Sequence, residues 1–570
     1  MDTLVDIEPQ DFADEIPVSQ PIELSNFVKI ISPALVVAAC GGESAPSPPT
    51  GGIITPPPPP PPPPSPPPVT GIQASRFLAQ ATMGPNKADI TKVQGQGYEA
   101  WISEQFALAR PTSHWDWMVG AGFNAAANVN TQNGFNPTMW RQVISSPDQL
   151  RQRVGMALLD FLVISIDGIS SGWNAFTAAA YVDILLDNAF GNYRTLLEQI
   201  STNSAMGLYL TFLGNRKANP NTGSMPDENY ALELMQLFTL GVNRLNADGT
   251  VQTSGSTAID SYTQEDVTGL ARVFTGFTLD SSDNSTPDRY RRPMIVNAGN
   301  HELGTKTFLG STIAAGTGGM ASLSAALDTI FAHPNLPPFV SKQLIQRLVT
   351  SNPSPAYVGR VSAIFANNGS NGRGDMKAVI RAILLDVEAR DPAGLTSTTF
   401  GKLRAPVNRL TNWARGFGVT SATDTWAFGN TSSPANRLAQ SPARSPSVFN
   451  FFRPGYIPPN TELSTRTLVG PEFQITTEPS VIAYINYMQS LIGNGAGDAR
   501  GNYTDMLALA INSQALVDEV NLILAAGQIS APTIATIRGA VDSIATTDAI
   551  NRIYTAILLV MASPEYIVQK

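Results

Sequence analysis

The pattern of apolar and polar positions predicts a mainly helical protein. From residue 71 onward, apolar residues recur three or four positions apart in successive segments, which short polar or glycine-rich turns separate. This periodicity predicts about fifteen helices and few short strands, whereas residues 429–480 show no clear period. The main predicted helices are 140–164, 174–190, 193–201, 321–332, 338–350, 354–366, 375–388 and 401–416, with three or four more in 503–570.

Segment 226–241, PDENYALELMQLFTLG, carries the clearest helix signal. Pro226 suits a first helical turn, and Gly241 follows the last periodic residue, as a glycine at a helix end does. Asp227 and Glu228 lie where the helix dipole favours negative charge. The predicted polar stripe is Asn229, Glu233 and Gln236, and the predicted apolar face is Tyr230, Leu234, Leu237 and Phe238.

Two further local signals follow this segment. Asp248 and Gly249 form the dipeptide typical of a tight hairpin turn. Thr263 is predicted to cap a helix, because Asp266 stands three residues later and an apolar periodic run follows.

The length of the periodic region predicts its organisation. A body of about 500 residues exceeds the ~250–300 residues at which a single core stops growing. No proline- or serine-rich break recurs after residue 70. We therefore predict one globular body, residues 71–570, made of two closely packed helical lobes.

Residues 1–40 resemble a bacterial lipoprotein leader. A short apolar run ends in Val-Ala-Ala-Cys, and Cys40 is the only cysteine of the chain. Seven acidic residues precede or flank this run, whereas export signals begin with positive charge, so the acidic prefix is consistent with a mis-assigned start codon. The alternative is an acidic tail with a chance apolar patch and a free cysteine.

Residues 41–70 are predicted to be a disordered tether. Prolines fill positions 56–64 without interruption, and such a run adopts an extended polyproline helix that buries no core. A stiff spacer fits a lipid anchor at Cys40, and a ligand for a proline-binding domain is the alternative.

Composition excludes several classes of function. The net charge is −9 without any concentrated basic stripe, so no nucleic-acid partner is predicted. No apolar run has the ~18–20 residues that span a bilayer, which leaves a lipid anchor as the predicted membrane contact. One cysteine and three unpaired histidines give no metal-ligand spacing, and we predict neither a metal nor another cofactor.

Glu228, Asn229 and Glu233 are the first candidates for catalysis. Two carboxyl groups act as acid and base when their surroundings separate their pKa values. Their spacing of five residues, however, places them about 140° apart around a helix of ~3.6 residues per turn. The alternative is that Glu228 interacts with the helix dipole while Glu233 pairs with Arg272 in the core.

Two other places carry candidate chemistry. His301 is followed by a glycine-containing loop and is a candidate general base, with a packed turn residue as the alternative. The aromatic stretch 449–456 is a candidate wall for a substrate or partner, or an irregular segment packed in the core. Its candidate binding residues are Phe449, Asn450, Arg453 and Tyr456.

Seven motifs in order resemble one family. They are ASRFLAQATMGP, PDENYALELMQLFTLGV, YTQEDVTGLARVFTGF, HELGTKTFLG, FVSKQLIQRLVTSNPSPAYVGRVSAIF, SVFNFFRPGYIPP and ASPEYIVQ. Together they resemble the large bacterial domain of unknown function 1800 family over about residues 72–570. The resemblance implies a mainly helical, exported protein and leaves the chemistry open.

The resemblance also implies a partner. Members of that family are commonly encoded beside an exported sulfatase- or phosphatase-like protein. Some branches carry a Trp-His-rich segment, but residues 157–165, ALLDFLVIS, contain no histidine here, so a metal role does not transfer.

Two functional hypotheses remain from the sequence. The first is an exported, lipid-anchored protein that binds or assembles with another exported protein. The second is an extracellular hydrolase or lyase that uses carboxyl groups on a polymeric substrate such as a glycan, with Glu228 or Glu233 at its centre.

Overall fold

The fold is mainly helical, as predicted. The computed structural model describes residues 68–370 and 372–570, and these contain 23 α-helices and ten short strands. The predicted leader and all but the last residues of the predicted tether, including Cys40, lie outside the described residues.

Eight helices form the first part of the body. They are α1 (Gly71–Ala81), α2 (Lys87–Ala107), α3 (His114–Gly120), α4 (Phe135–Ser145), α5 (Gln149–Leu159), α6 (Asn174–Asp187), α7 (Tyr193–Ser201) and α8 (Ser204–Tyr209). The middle part contains α9 (Asn229–Glu233), a π-helix (Leu234–Thr239) and α10 (Gln264–Ala271).

Thirteen further helices complete the described chain. The first six are α11 (Gly319–Ala332), α12 (Leu336–Leu348), α13 (Pro355–Ala366), α14 (Met376–Leu385), α15 (Val387–Arg390) and α16 (Pro406–Gly416). The last seven are α17 (Glu462–Thr465), α18 (Glu478–Asn494), α19 (Thr504–Leu507), α20 (Ser513–Ala525), α21 (Ala531–Asp542), α22 (Ala549–Ala562) and α23 (Pro564–Ile567).

The strands make five separate antiparallel pairs within the described residues. Three pairs are local or nearly so, and two join distant parts of the chain. The pairs are β1 (Thr253–Ser254) with β2 (Thr257–Ala258), β3 (Phe277–Thr278) with β4 (Ile295–Val296), β5 (Lys306–Phe308) with β6 (Ser311–Ile313), β7 (Lys402–Leu403) with β10 (Val568–Gln569), and β8 (Thr420–Ser421) with β9 (Ala499–Arg500).

One continuous core holds these elements together. Buried apolar side chains form a single cluster that runs from Ala74 to Tyr566. The described residues form one compact unit, and their contacts draw no boundary between the two lobes that chain length predicted. The close packing of helices from distant parts of the chain explains how one core extends through the whole body.

Several helix boundaries follow from local chemistry. Thr263 and Asp266 form the predicted capping box at the start of α10, because each side chain accepts a hydrogen bond from the other's backbone N–H. Gly97 has φ 79° and breaks the α2 segment into two helical pieces. Gly249 has φ 75° and forms the predicted turn with Asp248.

Other boundaries differ from the prediction. The single helix predicted over 140–164 is two helices, α4 and α5, because Pro147 disfavours helical geometry in the residue before it. The helix predicted at 401–416 begins at Pro406, because residues 402–403 pair as β7 with the end of the chain. Helix α18 was not predicted.

No helix in the described parts of the chain combines the length and apolar character that crossing a membrane requires.

Candidate functional site

Segment 226–241 folds into two kinds of helix. Helix α9 begins at Asn229, whose N–H donates to the Asp227 carboxylate at 2.8 Å, so Pro226 lies outside the first turn. From Leu234 to Thr239 the chain widens into a π-helix, a form that is rare and frequent at functional sites. The predicted continuous α-helix is therefore wrong, whereas Gly241 ends the helical segment with φ 75°, as predicted.

Aromatic packing fixes this segment in the core. The ring of Tyr230 stacks on Phe212 at 4.2 Å and meets Phe274 edge-on at 4.7 Å. Its hydroxyl lies 2.7 Å from the Ser201 hydroxyl, so the one polar atom of the buried ring is satisfied. The first turns of the segment are thus held rigidly, and the side chains on its other faces have defined positions.

Glu233 is buried without a charge partner. Its exposed fraction is 7%, and its buried Oε2 has no hydrogen-bond partner among the described residues. Burial raises the pKa of Glu233 to about 7. The predicted alternative, an ion pair with Arg272, is wrong, because Arg272 donates to the Thr305 carbonyl oxygen at 3.1 Å.

Glu228 and Asn229 have different surroundings from Glu233. The Glu228 carboxylate accepts hydrogen bonds from Gln264 at 2.8 Å and Thr268 at 2.7 Å, and it thereby ties α9 to α10. The Asn229 amide lies 3.4 Å from the Thr211 hydroxyl. The structure therefore does not bring the two carboxyl groups together on one small substrate.

His301 is a buried loop residue. It is 1% exposed, and its Nδ1 lies 2.9 Å from the carbonyl oxygen of Thr275. Burial lowers the pKa of the imidazole. A Cβ on Gly276 would come within 3.1 Å of the His301 side chain, so the ring packs closely against its own loop. This position favours the packing alternative over a general base.

The aromatic stretch 449–456 forms an irregular turn. Asn450, with φ 60°, donates to the Asp160 carboxylate at 2.9 Å. Arg453 lies over the Phe449 ring at 5.0 Å, and the Tyr456 N–H donates to the Arg453 carbonyl oxygen. These four candidates are partly engaged with one another, and none of them lines the cavity described next.

A cavity of about 600 Å³, which we name the Arg444 cavity, lies beside this stretch. The Arg444 side chain is 4% exposed and donates to three acceptors: Asp167 at 2.7 Å, Gln132 at 2.8 Å and Asn136 at 3.1 Å. The lining residues are Ser165, Asp167, Gly168, Tyr209, Ser432, Pro434, Ala439, Arg444, Ser445, Pro446, Phe451, Ile475 and Thr477.

Tyr209 lines this cavity, and the charge of Glu233 influences its pKa. The Tyr209 hydroxyl lies 3.4 Å from the Ser445 hydroxyl in the cavity wall. Burial raises the pKa of Tyr209, and the nearby charge of Glu233 also raises it. Tyr262 donates a hydrogen bond to Gln236 at 2.9 Å. Burial and the charge of Glu233 raise the pKa of Tyr262 to about 12. The charge of Glu233 therefore acts on the pKa values of both tyrosines.

The cavity has little free acid–base chemistry of its own. Its titratable lining residues are Asp167, Tyr209 and Arg444, and two of these three pair with each other. The buried Ser165 hydroxyl has no hydrogen-bond partner among the described residues. Within the same described parts of the chain, no three His, Cys, Asp or Glu side chains come together as metal ligands.

Sequence reasoning missed this cavity. Arg444 falls in the segment without periodicity, and its three acceptors precede it by 277, 308 and 312 residues. The nearest usable signal was the adjoining SVFNFF motif, which begins at Ser447 and places Phe451 in the cavity wall.

The fold and the cavity define a large, mainly helical protein with a concave site between its first helices and an irregular later segment. The chain belongs to the family described as protein of unknown function (DUF1800), whose model matches residues 76–568. The predicted family resemblance is thus confirmed. No match was found among curated proteins or among solved structures.

Proposed function

We propose that this protein is an exported, lipid-anchored component of the bacterial cell envelope that binds another exported protein through the Arg444 cavity. The Val-Ala-Ala-Cys sequence ending at Cys40 and the proline run after it support export and anchoring. The family resemblance implies a sulfatase- or phosphatase-like exported protein as the partner.

The hydrogen bonds of Arg444 favour binding over catalysis as the function of this cavity. Because its guanidinium is held by three side chains, it forms a rigid part of the wall. A guanidinium stays protonated in proteins, so it does not serve as an acid or base there. Phe451, Pro446 and Ile475 add apolar surface beside the hydroxyl groups. A preorganised, neutral and partly apolar concavity suits a side chain or turn of a partner protein.

Site-specific photocrosslinking tests the binding proposal. A benzoylphenylalanine at Pro446, on the exposed rim of the cavity, is expected to give one adduct with an exported protein in intact cells. The same group at Ala545, an exposed turn residue that does not line the cavity, serves as the matched control. Equal adducts from both positions, or none from Pro446, would contradict the proposal.

Mass spectrometry of the mature protein tests the anchor. A lipid-modified N-terminal Cys40 is expected, and Cys40→Ser is expected to abolish the modification and membrane retention. A mature protein that retains residues 1–39 would contradict it.

Glu233 favours a second candidate, a hydrolase or lyase that acts on an envelope glycan. An unpaired carboxyl group with a pKa of about 7 is suited to general acid catalysis. On purified glycan sacculi, wild type is expected to release soluble fragments with a rate that falls as the pH rises above about 7. Glu233→Gln is expected to abolish release, while Glu228→Gln retains it. No release by wild type would exclude this candidate for that glycan.

A further inference from the structure

A second cavity, of about 970 Å³, lies at the end of the π-helix, and we name it the Lys342 cavity. Residues 240–243, helix α12, the turn at 250–251, residues 351–355 and residues 467–469 contribute its walls. Most of the surface is apolar, and Val242 and Val251 are 51% and 44% exposed. The other large apolar side chains in the wall are Leu245, Phe339, Leu468 and Val469.

Two asparagines hold the walls of this cavity in place. Asn335 donates to the carbonyl oxygens of Leu240 at 3.1 Å and Asn243 at 2.8 Å. On the other side, Asn352 donates to the Val469 carbonyl oxygen and accepts from the Val469 N–H, both at 2.9 Å. The loops that contribute to the concave shape are therefore held in place by paired amide hydrogen bonds.

Lys342 is a cation without a partner in this apolar setting. Among the described residues that line the cavity, it alone carries a charge, and its side chain is exposed, so a ligand in the cavity can reach it. The surrounding protein lowers the pKa of the ammonium group by desolvation. Because Lys342 is exposed at the cavity surface, an anion that enters the cavity can reach the ammonium group and form an ion pair with it.

We propose that the Lys342 cavity binds an amphiphilic anion, in which one carboxylate or phosphate head pairs with Lys342 and an aliphatic body packs against Val242, Val251 and Phe339. Lys342 favours an anionic head group, because no other charged side chain lines the cavity among the described residues. The apolar walls select the body, because contiguous exposed apolar surface marks a binding site on a soluble body. This inference is independent of the Arg444 cavity.

Calorimetric titration of the full-length protein tests the inference. Decanoate and decyl phosphate, both below their micelle concentrations, are expected to bind with one site per chain and at least tenfold more tightly than decanol. Lys342→Gln is expected to reduce the affinity for both anions about tenfold, to the level of decanol. Lys377→Gln, an exposed lysine at the start of α14, is expected to bind all three as wild type does.

A second variant tests the cavity itself while Lys342 stays unchanged. Val251→Trp is expected to abolish binding of all three compounds by filling the cavity, and its exposed position keeps the core unchanged. The proposal is overturned when the anions bind Lys342→Gln as tightly as wild type, or when neither anion binds wild type. Binding to anionic lipid vesicles without binding to the soluble anions also overturns it.

Discussion

Glu233 is a largely buried carboxyl group that the fold leaves without a cation partner among the described residues. Since its pKa is about 7 in the folded protein and about 4.3 in an unfolded chain, the folded state holds a proton that the unfolded state releases. Between these two values, stability must fall as the pH rises. The destabilising contribution is small below pH 4 and complete above pH 7.

Replacing Glu233 by Gln should therefore stabilise the protein at alkaline pH. The gain relative to wild type is expected to be about 2 kcal/mol larger at pH 8 than at pH 5, because the glutamine needs no proton. Urea unfolding at the two pH values measures it. Glu228→Gln is the control, and it should not stabilise at pH 8, because Glu228 accepts two hydrogen bonds. A gain for Glu233→Gln that does not change with pH would contradict the assigned burial.

At the level of elements, the π-helix sets the geometry of the central segment. The Thr239 hydroxyl donates to the Leu234 carbonyl oxygen at 2.6 Å, and the N–H groups of Leu240 and Gly241 both donate to the Met235 carbonyl oxygen. These bonds satisfy carbonyl groups that a regular α-helix would leave open at its end. Gly241 follows the π-helix and lines the Lys342 cavity.

Gly241→Ala is expected to destabilise the protein by about 2–3 kcal/mol. The residue has φ 75°, and an added Cβ would lie 2.9 Å from the Phe339 ring, so backbone strain and overpacking add together. Gly214→Ala is the matched control, with φ 82° but open space, and should cost only about 1 kcal/mol. Thermal or urea unfolding of the two variants measures the difference in their free energies of unfolding. Equal losses of stability would show that the Phe339 ring moves aside at no cost.

Local signals predicted those elements whose causes are local. The capping box of Thr263 and Asp266 needs only four consecutive residues, and the segment containing Gly241 was located correctly. The π-helix was not predicted, because its apolar spacing is also compatible with an α-helix. The Arg444 cavity could not be predicted from the sequence, because its geometry depends on hydrogen-bond acceptors about 300 residues away from Arg444.

Over the whole molecule, buried arginines join distant segments by donating to backbone carbonyl groups. Arg415 donates to Gly84 at 2.8 Å and to Ile144 at 2.9 Å. Arg552 donates to the carbonyl oxygens of Ala510 and Val541 at 2.6 and 2.9 Å. These hydrogen bonds satisfy backbone carbonyl groups at helix ends and in loops inside the body. They explain how a core of this size accommodates so many irregular segments.

The buried ion pair of Lys402 and Glu472 is expected to be strongly coupled. Its atoms lie 2.8 Å apart, and the two side chains are 5% and 2% exposed. Lys402→Met or Glu472→Leu alone should cost about 3 kcal/mol or more, because each leaves a buried charge. The double variant should cost less than the sum of the two.

Urea unfolding of the two single variants and the double variant measures that coupling. The exposed pair of Arg466 and Glu462 is the control, and breaking it should change stability little. Strictly additive losses at Lys402 and Glu472 would contradict the coupling.

The pairing of β7 with β10 has a consequence for biosynthesis. Gln569, in β10, also donates to the Leu348 carbonyl oxygen, 221 residues earlier in the chain. During translation, β7 and the end of α12 therefore emerge well before the strand that covers them. Until β10 has been made, these surfaces stay uncovered, so chaperone contact with the growing chain should concentrate there.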